Sequence, residues 1–117
     1  SRPTMQSPFH EHKLGHASFC TLMKVHYLVD PCKVGENDEI VRQVLDSATE
    51  LSAKVADGLS RLDKRFGRQI LMDAIGMVAV VRTNLAVSWG RGLLPDETFR
   101  ATDTKYSDLA IALQNYR

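Results

Sequence analysis

The sequence predicts an all-α protein, an antiparallel three- or four-helix bundle with an irregular N-terminal arm. Three long stretches after residue 36 place apolar residues every three or four positions, which is the period of an α-helix. Only short connections separate these stretches, and short connections favour antiparallel packing of neighbouring helices. We therefore predict an arm over residues 1–36 and a helical bundle domain over residues 37–117.

Composition limits the class of protein. With 117 residues, the chain is long enough for one domain with a modest core. Its apolar fraction of 44% and charged fraction of 25% are typical of globular proteins, which argues against extensive disorder. A net charge of +1 argues against a protein whose main task is to neutralise phosphates, so nucleic acid is not a favoured partner.

Cysteine content and the N-terminal pattern predict an intracellular protein. Two cysteines are fewer than small secreted scaffolds usually contain. The first 35 residues also lack the basic start and apolar run of a secretory signal. If Ser1 is the end left by removal of a targeting peptide, an organelle such as the mitochondrion becomes the alternative location.

The predicted arm contains several residues that interrupt regular structure. These residues are Pro3, Pro8, Gly15, Pro31 and Gly35. Within the arm, residues 17–29 (ASFCTLMKVHYLV) are expected to form a short helix, although their alternation of apolar and polar residues also fits a strand.

The first predicted helix of the domain runs from about Asn37 to Arg65. Its apolar stripe consists of Ile40, Val44, Ala48, Leu51, Val55, Leu59 and Leu62. Asn37 is expected to cap the N-terminus. Lys64 and Arg65 are expected to complement the negative end of the helix dipole, with Gly67 in the left-handed turn that closes the helix.

The second predicted helix occupies residues 68–89 (RQILMDAIGMVAVVRTNLAVSW) and is apolar almost all round, with only a thin polar stripe of Gln69, Asp73, Gly76 and Thr83. Such a helix is expected in the middle of a larger structure. Asp73 and Arg82 argue against a membrane span, because a charged residue near the centre of a span costs about 2.5–3.5 kcal/mol. An isolated buried charge is costly as well, so each of the two is expected to reach a partner or the edge of the bundle.

The third predicted helix begins near Pro95, after a turn with two glycines, and runs to the C-terminus. Its buried face is expected to contain Phe99, Thr102, Tyr106, Leu109, Leu113 and Tyr116. The preceding segment NLAVSWGRG, residues 84–92, resembles the end of a helix in small four-helix-bundle proteins encoded within bacterial ribosomal-RNA intervening sequences. This resemblance implies a four-helix bundle.

All four histidines and both cysteines fall between residues 10 and 32. If the segment from His12 is helical, His12, His16 and Cys20 recur every four residues and share one face. Imidazole nitrogen and thiolate sulfur are the ligands that zinc prefers, and His26 or Cys32 could supply a fourth ligand. A zinc site is therefore an alternative to solvated arm residues. We assign no metal, cofactor or catalytic residue from the sequence.

The segment HEHK, residues 10–13, precedes an amphipathic stretch, an Asp-Pro turn and a long helix. Over about residues 7–64 this arrangement resembles the dimerisation and histidine-phosphotransfer hairpin of sensor histidine kinases. The resemblance implies that His10 is phosphorylated, that Glu11 is its acid–base neighbour, and that residues 37–64 form the second helix of the hairpin. A histidine-phosphotransfer-like protein is thus a second alternative.

The apolar second helix decides the leading functional hypothesis. Two amphipathic neighbours cannot cover a helix that is apolar almost all round. We therefore predict a non-catalytic helical subunit or interaction module, whose partners are other protein subunits or a second copy bound through apolar helix faces.

A basic group is formed by Lys64, Arg65 and Arg68. It either contacts a phosphate or an acidic partner, or complements the charges at helix ends.

Overall fold

The computed structural model describes residues 13–29 and 38–116, and these residues form four α-helices. In chain order the helices are α1 (Lys13–Val29), α2 (Asp38–Ser60), α3 (Lys64–Gly90) and α4 (Asp96–Asn115). No strand occurs in these two ranges, and the helices pack against one another. The predicted all-α class is confirmed.

Each helix packs against two others. α2 contacts α1 and α3, and α4 contacts α3 and α1. α2 and α3 run in opposite directions, because Gly67 near the start of α3 approaches Gly58 near the end of α2, whereas Asn84 near the end of α3 donates to Ser47 Oγ in the first half of α2 at 3.0 Å. α3 and α4 also run in opposite directions, since Trp89 contacts Asp96 next to the connection and Arg82, earlier on α3, contacts Asp103, later on α4.

The core lies between the four helices and is built from residues three or four positions apart on each of them. Its buried members on α2 to α4 include Val41, Val44, Ala48, Leu51, Val55, Leu71, Ala74, Val78, Val81, Leu85, Tyr106, Leu109 and Leu113. The predicted apolar faces of the first and third patterns are therefore largely confirmed. Leu62 is the exception, because it lies outside α2 and is almost fully exposed.

α1 is longer than the helix expected over residues 17–29, since it begins at Lys13. The strand alternative for this segment is wrong. Leu14 and Leu22, about two turns apart, are both buried in the core that α2 to α4 share. Residues 1–12 and 30–37 lie outside the described part of the chain. The irregular arm and the domain boundary near residue 36 therefore stay predictions.

The first predicted helix does not continue to Arg65. α2 ends at Ser60, and α3 begins at Lys64. Asp63 is the N-cap of α3, because its Oδ1 accepts from the backbone N–H groups of Arg65 at 3.0 Å and Phe66 at 3.3 Å. A capping carboxylate stabilises a helix start by about 1 kcal/mol. The basic residues that the sequence assigned to a helix end therefore belong to the next helix start.

Gly67 does not close a helix either. It lies within α3, is buried, and approaches α2 at Gly58. A Cβ atom added at Gly67 would lie 2.5 Å from the carbonyl oxygen of Gly58, and one added at Gly58 would lie 2.6 Å from Cδ2 of Leu71. The two glycines therefore allow the backbones of α2 and α3 to approach closely.

The junction between α3 and α4 is fixed by backbone and side-chain contacts. Gly92 has φ 81°, and its N–H donates to Trp89 O while that of Leu93 donates to Ser88 O, both at 2.9 Å. This pair of bonds is the Schellman arrangement, which places glycine in the left-handed position. The Trp89 ring stacks on Phe99 at 4.8 Å between centroids. The predicted start of the last helix near Pro95 is confirmed within one residue.

Candidate interaction surface

α3 presents one face to the core and an apolar face to solvent. Its outward residues recur every three or four positions, and we call them the α3 stripe. The stripe consists of Met72, Gly76, Val80, Thr83, Val87 and Gly90, all of which are exposed. The exposed fractions are 62% for Met72, 52% for Val80 and 47% for Val87. Large apolar side chains thus stand in solvent from Met72 to Val87, along about 22 Å of helix.

No charged residue belongs to the α3 stripe, but two lie beside it. Asp73 and Arg91 are both exposed, and neither forms an ion pair with a residue in the described ranges. They are 18 residues apart, which is five turns at 3.6 residues per turn, so they lie on the same edge of the stripe. An acid and a base therefore mark the two ends of an uncharged surface.

The two stripe glycines leave space between the larger side chains. A Cβ atom added at Gly76 or at Gly90 would have nothing within 4 Å. These positions are open on the outer surface, in contrast to Gly67, where the neighbouring helix is in contact. Protruding apolar side chains and shallow gaps therefore both occur along the stripe. Two helices pack closely when the side chains of one fit into such gaps on the other.

Arg82 lies beside the stripe, on the side that faces α4. Its Nε and Nη2 donate to the two carboxylate oxygens of Asp103 at 2.8 Å and 2.9 Å. These hydrogen bonds raise the pKa of Arg82 above its ordinary value. The expectation that Arg82 reaches a partner is confirmed, and Asp73 lies exposed at the edge of the bundle, as the alternative in that expectation required.

The structure brings together two of the three histidine and cysteine residues considered for zinc. His16 and Cys20 are exposed on α1, with 3.4 Å between Nε2 and Sγ, so their shared face is confirmed. His12 lies outside the described residues, as does the side chain of His26. The described ranges contain no group of three metal-ligating side chains. The zinc hypothesis stays a prediction.

The phosphotransfer hypothesis depends on residues that the described ranges do not include. His10 and Glu11 lie outside the described ranges. The helix implied over residues 37–64 is interrupted, because α2 ends at Ser60 and α3 begins at Lys64. The phosphotransfer role of His10 therefore stays a prediction. Cys32, considered above as a zinc ligand, also lies outside the described ranges.

Cys20 also lines a cavity of about 360 Å³ between α1 and α4. Thr21 lies on the α1 side of this cavity, and Lys105 and Asp108 lie on the α4 side. Its lining combines a thiol with one acid and one base, and we assign no chemistry to it.

α3 is the one helix of residues 13–29 and 38–116 whose length and composition would allow it to cross a membrane. One third of its most apolar 18-residue window is buried within the protein. The sequence identified the apolar excess of this helix and its thin polar stripe, whose four residues are all exposed, but not that Met72, Val80 and Val87 lie on the same outward side. The buried residues of α3 recur every three or four positions, so the residues between them form its outer face.

Comparison with known proteins finds no matching protein-family model and no significant match among curated proteins.

Proposed function

We propose that this chain is a non-catalytic helical subunit that self-associates through the α3 stripe. The observation that supports the proposal is the exposure of Met72, Val80 and Val87 on one uncharged helix face. Covering each of these half-exposed side chains in a contact contributes about 1 kcal/mol. Exposed apolar patches on small proteins commonly mark interaction sites. We further propose that the four helices form an up-and-down antiparallel bundle. Two copies of this bundle would contact each other through their α3 helices.

Charge placement favours a second copy of the chain in the antiparallel orientation. In a two-fold antiparallel contact, the same edge of each α3 faces the same edge of the other. Asp73 of one copy then lies beside Arg91 of the other, and the symmetry creates this pair twice. In a parallel two-fold contact, the equivalent edges of the two helices would lie on opposite sides of the contact, so Asp73 of one copy could not reach Arg91 of the other. The edge charges therefore favour a second copy in the antiparallel orientation.

The shape of the α3 stripe also favours an antiparallel pair of α3 helices. When Asp73 faces Arg91, the two-fold axis passes at the level of Arg82, midway between them. Val87 of one copy then lies close to the level of Gly76 of the other, where the surface is open. A protruding valine opposite a glycine gap allows two helices to approach closely. Shape and charge thus support the same register.

Charge reversal tests this proposal. We expect Asp73→Arg and Arg91→Asp each to weaken self-association about 10- to 100-fold, because each change places like charges opposite one another twice. The double variant Asp73→Arg/Arg91→Asp restores the pairs with their signs exchanged, so its association should return to near the wild-type value. Sedimentation velocity over a range of concentrations measures the association constant.

Three outcomes would contradict the proposal. A wild-type chain that stays monomeric at all concentrations contradicts self-association. Single variants that associate as tightly as wild type contradict the α3 stripe as the contact. A double variant that remains as weak as the single variants contradicts the antiparallel register, because only reciprocal contact between copies predicts restoration. Arg100→Asp, an exposed charge on α4, serves as the control and should leave association unchanged.

A further inference from the structure

The connection between α2 and α3 forms one end of the described fold and combines apolar and basic residues. We call it the α2–α3 tip, and it consists of Arg61, Leu62, Lys64, Arg65, Phe66 and Arg68. Leu62 is 98% exposed, the highest exposure among the large hydrophobic residues that the structure describes, and Phe66 is 46% exposed. An aliphatic side chain at full exposure in a connection gains nothing from the fold itself. The tip therefore differs from the α3–α4 connection, where Leu94 is buried, in presenting apolar side chains outward.

The acidic residues near the tip are already engaged. Asp57 forms an ion pair with Arg61 at 2.9 Å, and Asp63 accepts backbone hydrogen bonds as the cap of α3. Arg61 also lies over the Phe66 ring, 4.8 Å from its centroid. Lys64, Arg65 and Arg68 form no ion pair within residues 13–29 and 38–116. Three cations at the tip are thus available to an external anion.

These three cations share one cavity. Lys64, Arg65 and Arg68 line a space of about 200 Å³ together with Tyr116, which follows α4. This volume is below the roughly 300–1,000 Å³ of pockets that enclose drug-sized ligands. It suits a small anion such as one phosphate group. Two arginines and a lysine converging on one cavity are the side chains that recognise phosphate.

We propose that the α2–α3 tip binds an anionic phospholipid surface. Lys64, Arg65 and Arg68 contact lipid phosphates, and Leu62 and Phe66 enter the boundary between headgroups and acyl chains. Basic residues beside an anionic bilayer contribute about fivefold each to partitioning, and apolar residues add to this by leaving water. A nucleic acid would satisfy the cations but would offer no apolar region to Leu62. The apolar component therefore favours a lipid surface.

Co-sedimentation of the full chain with vesicles tests the proposal. We expect binding to vesicles of phosphatidylcholine with phosphatidylserine, much weaker binding to phosphatidylcholine alone, and a loss of binding as salt is raised. Arg65→Gln/Arg68→Gln should lower the partition coefficient roughly 25-fold, from two contributions of about fivefold each. Leu62→Ser should lower it about tenfold without disturbing the fold, because Leu62 makes almost no contact with the protein.

Matched controls change the same residue types elsewhere. Arg42→Gln/Arg100→Gln removes two exposed cations, and Ile111→Ser removes an exposed aliphatic side chain from α4. Both should bind vesicles as wild type does. Asp73→Arg, which weakens the proposed self-association, leaves the tip intact and should also bind. Failure of one proposal is therefore distinguishable from failure of the other.

Four results would overturn the proposal. Equal binding to both kinds of vesicle would exclude recognition of the anionic headgroup. Unchanged binding by both tip variants would exclude the tip. Loss with the arginine variant but not with Leu62→Ser, together with calorimetric binding of inorganic phosphate, would indicate a site for a free anion. Tighter binding to a single-stranded RNA than to anionic vesicles, lost in the arginine variant, would indicate a nucleic-acid site.

Discussion

Tyr106 is a fully buried phenol on α4 whose hydroxyl has no hydrogen-bond partner within residues 13–29 and 38–116. Burial raises the pKa of Tyr106 above its ordinary value, because the charged phenolate is unfavourable away from water. The folded state therefore holds the Tyr106 proton more tightly than the unfolded state does. Below a pH of about 10 the group is neutral in both states and its contribution to stability does not vary.

Because the pKa of Tyr106 is higher in the folded state than in the unfolded state, the protein should lose stability at alkaline pH, and part of this loss should depend on Tyr106 alone. As pH rises above about 10, the unfolded chain loses the proton first, so the free energy of unfolding falls by up to about 1.4 kcal/mol per pH unit. Tyr106→Phe should remove this part of the loss and should be neutral or stabilising at pH 7, because no partner is left unpaired. Urea denaturation from pH 7 to 11 measures both effects. Tyr116→Phe, at the half-buried end of the fold, should retain the wild-type pH dependence; an identical pH dependence in Tyr106→Phe and wild type would contradict the prediction.

At the scale of helices, the sequence predicted which residues form the core better than where helices end. The three-to-four-residue spacing on α2 and α4 was sufficient because one buried face dominates each of them. The break at residues 61–63 could not be read in the same way. A lysine, an arginine and a glycine are the usual signals of a helix end, yet here Asp63 caps a new helix that contains all three. Gly67 is required by contact with Gly58, which is distant in sequence, so no local pattern reveals it.

The outward face of α3 was predictable only in outline. The sequence indicated that the second helical pattern has more apolar residues than its neighbours can cover. Which of them face outward depends on where α2 and α4 pack, and that is a tertiary fact. The five-turn separation of Asp73 and Arg91 is visible in the sequence, but it acquires meaning only when both are known to lie on the exposed edge.

The close approach of α2 and α3 predicts opposite effects for two glycine substitutions in one helix. Gly67→Ala should destabilise the protein by about 1–3 kcal/mol, because its Cβ would meet the Gly58 carbonyl oxygen at 2.5 Å and force the helices apart. Gly76→Ala is the matched control and should stabilise the protein by about 0.5–1 kcal/mol, since alanine favours the helix and nothing lies within 4 Å. Chemical denaturation followed by circular dichroism measures both. Equal changes in the two variants would argue against the close contact.

At the scale of the whole molecule, one apolar stripe and one basic tip occupy different parts of the described surface. The α3 stripe runs along the side of the fold, and the α2–α3 tip lies at its end. In the antiparallel contact proposed here, the N-terminal ends of the two α3 helices point in opposite directions. The two tips would therefore lie at opposite ends of the pair rather than on one side.

The proposed self-association through the α3 stripe would make stability depend on protein concentration. A dimer that forms only from folded chains gains stability by mass action, so the wild-type Tm should rise as the chain is concentrated. Val80→Glu places a charge in the middle of the stripe, and its Tm should be independent of concentration. Ile111→Glu, on an equally exposed position of α4, should behave as wild type. Calorimetry at several protein concentrations measures these Tm values. A wild-type Tm that does not change with concentration would contradict the proposed self-association.

Trp89 gives the junction of α3 and α4 an additional property. It is the chain's one tryptophan, and it stacks on Phe99 while its indole N–H donates to Asp96 at 2.6 Å. Intrinsic fluorescence excited at the indole band therefore reports on this junction alone, whereas far-ultraviolet circular dichroism reports on all four helices. If the melting curves from fluorescence and from circular dichroism coincide, the protein unfolds as one cooperative unit. A separation between them would reveal the order in which this junction and the rest of the protein come apart.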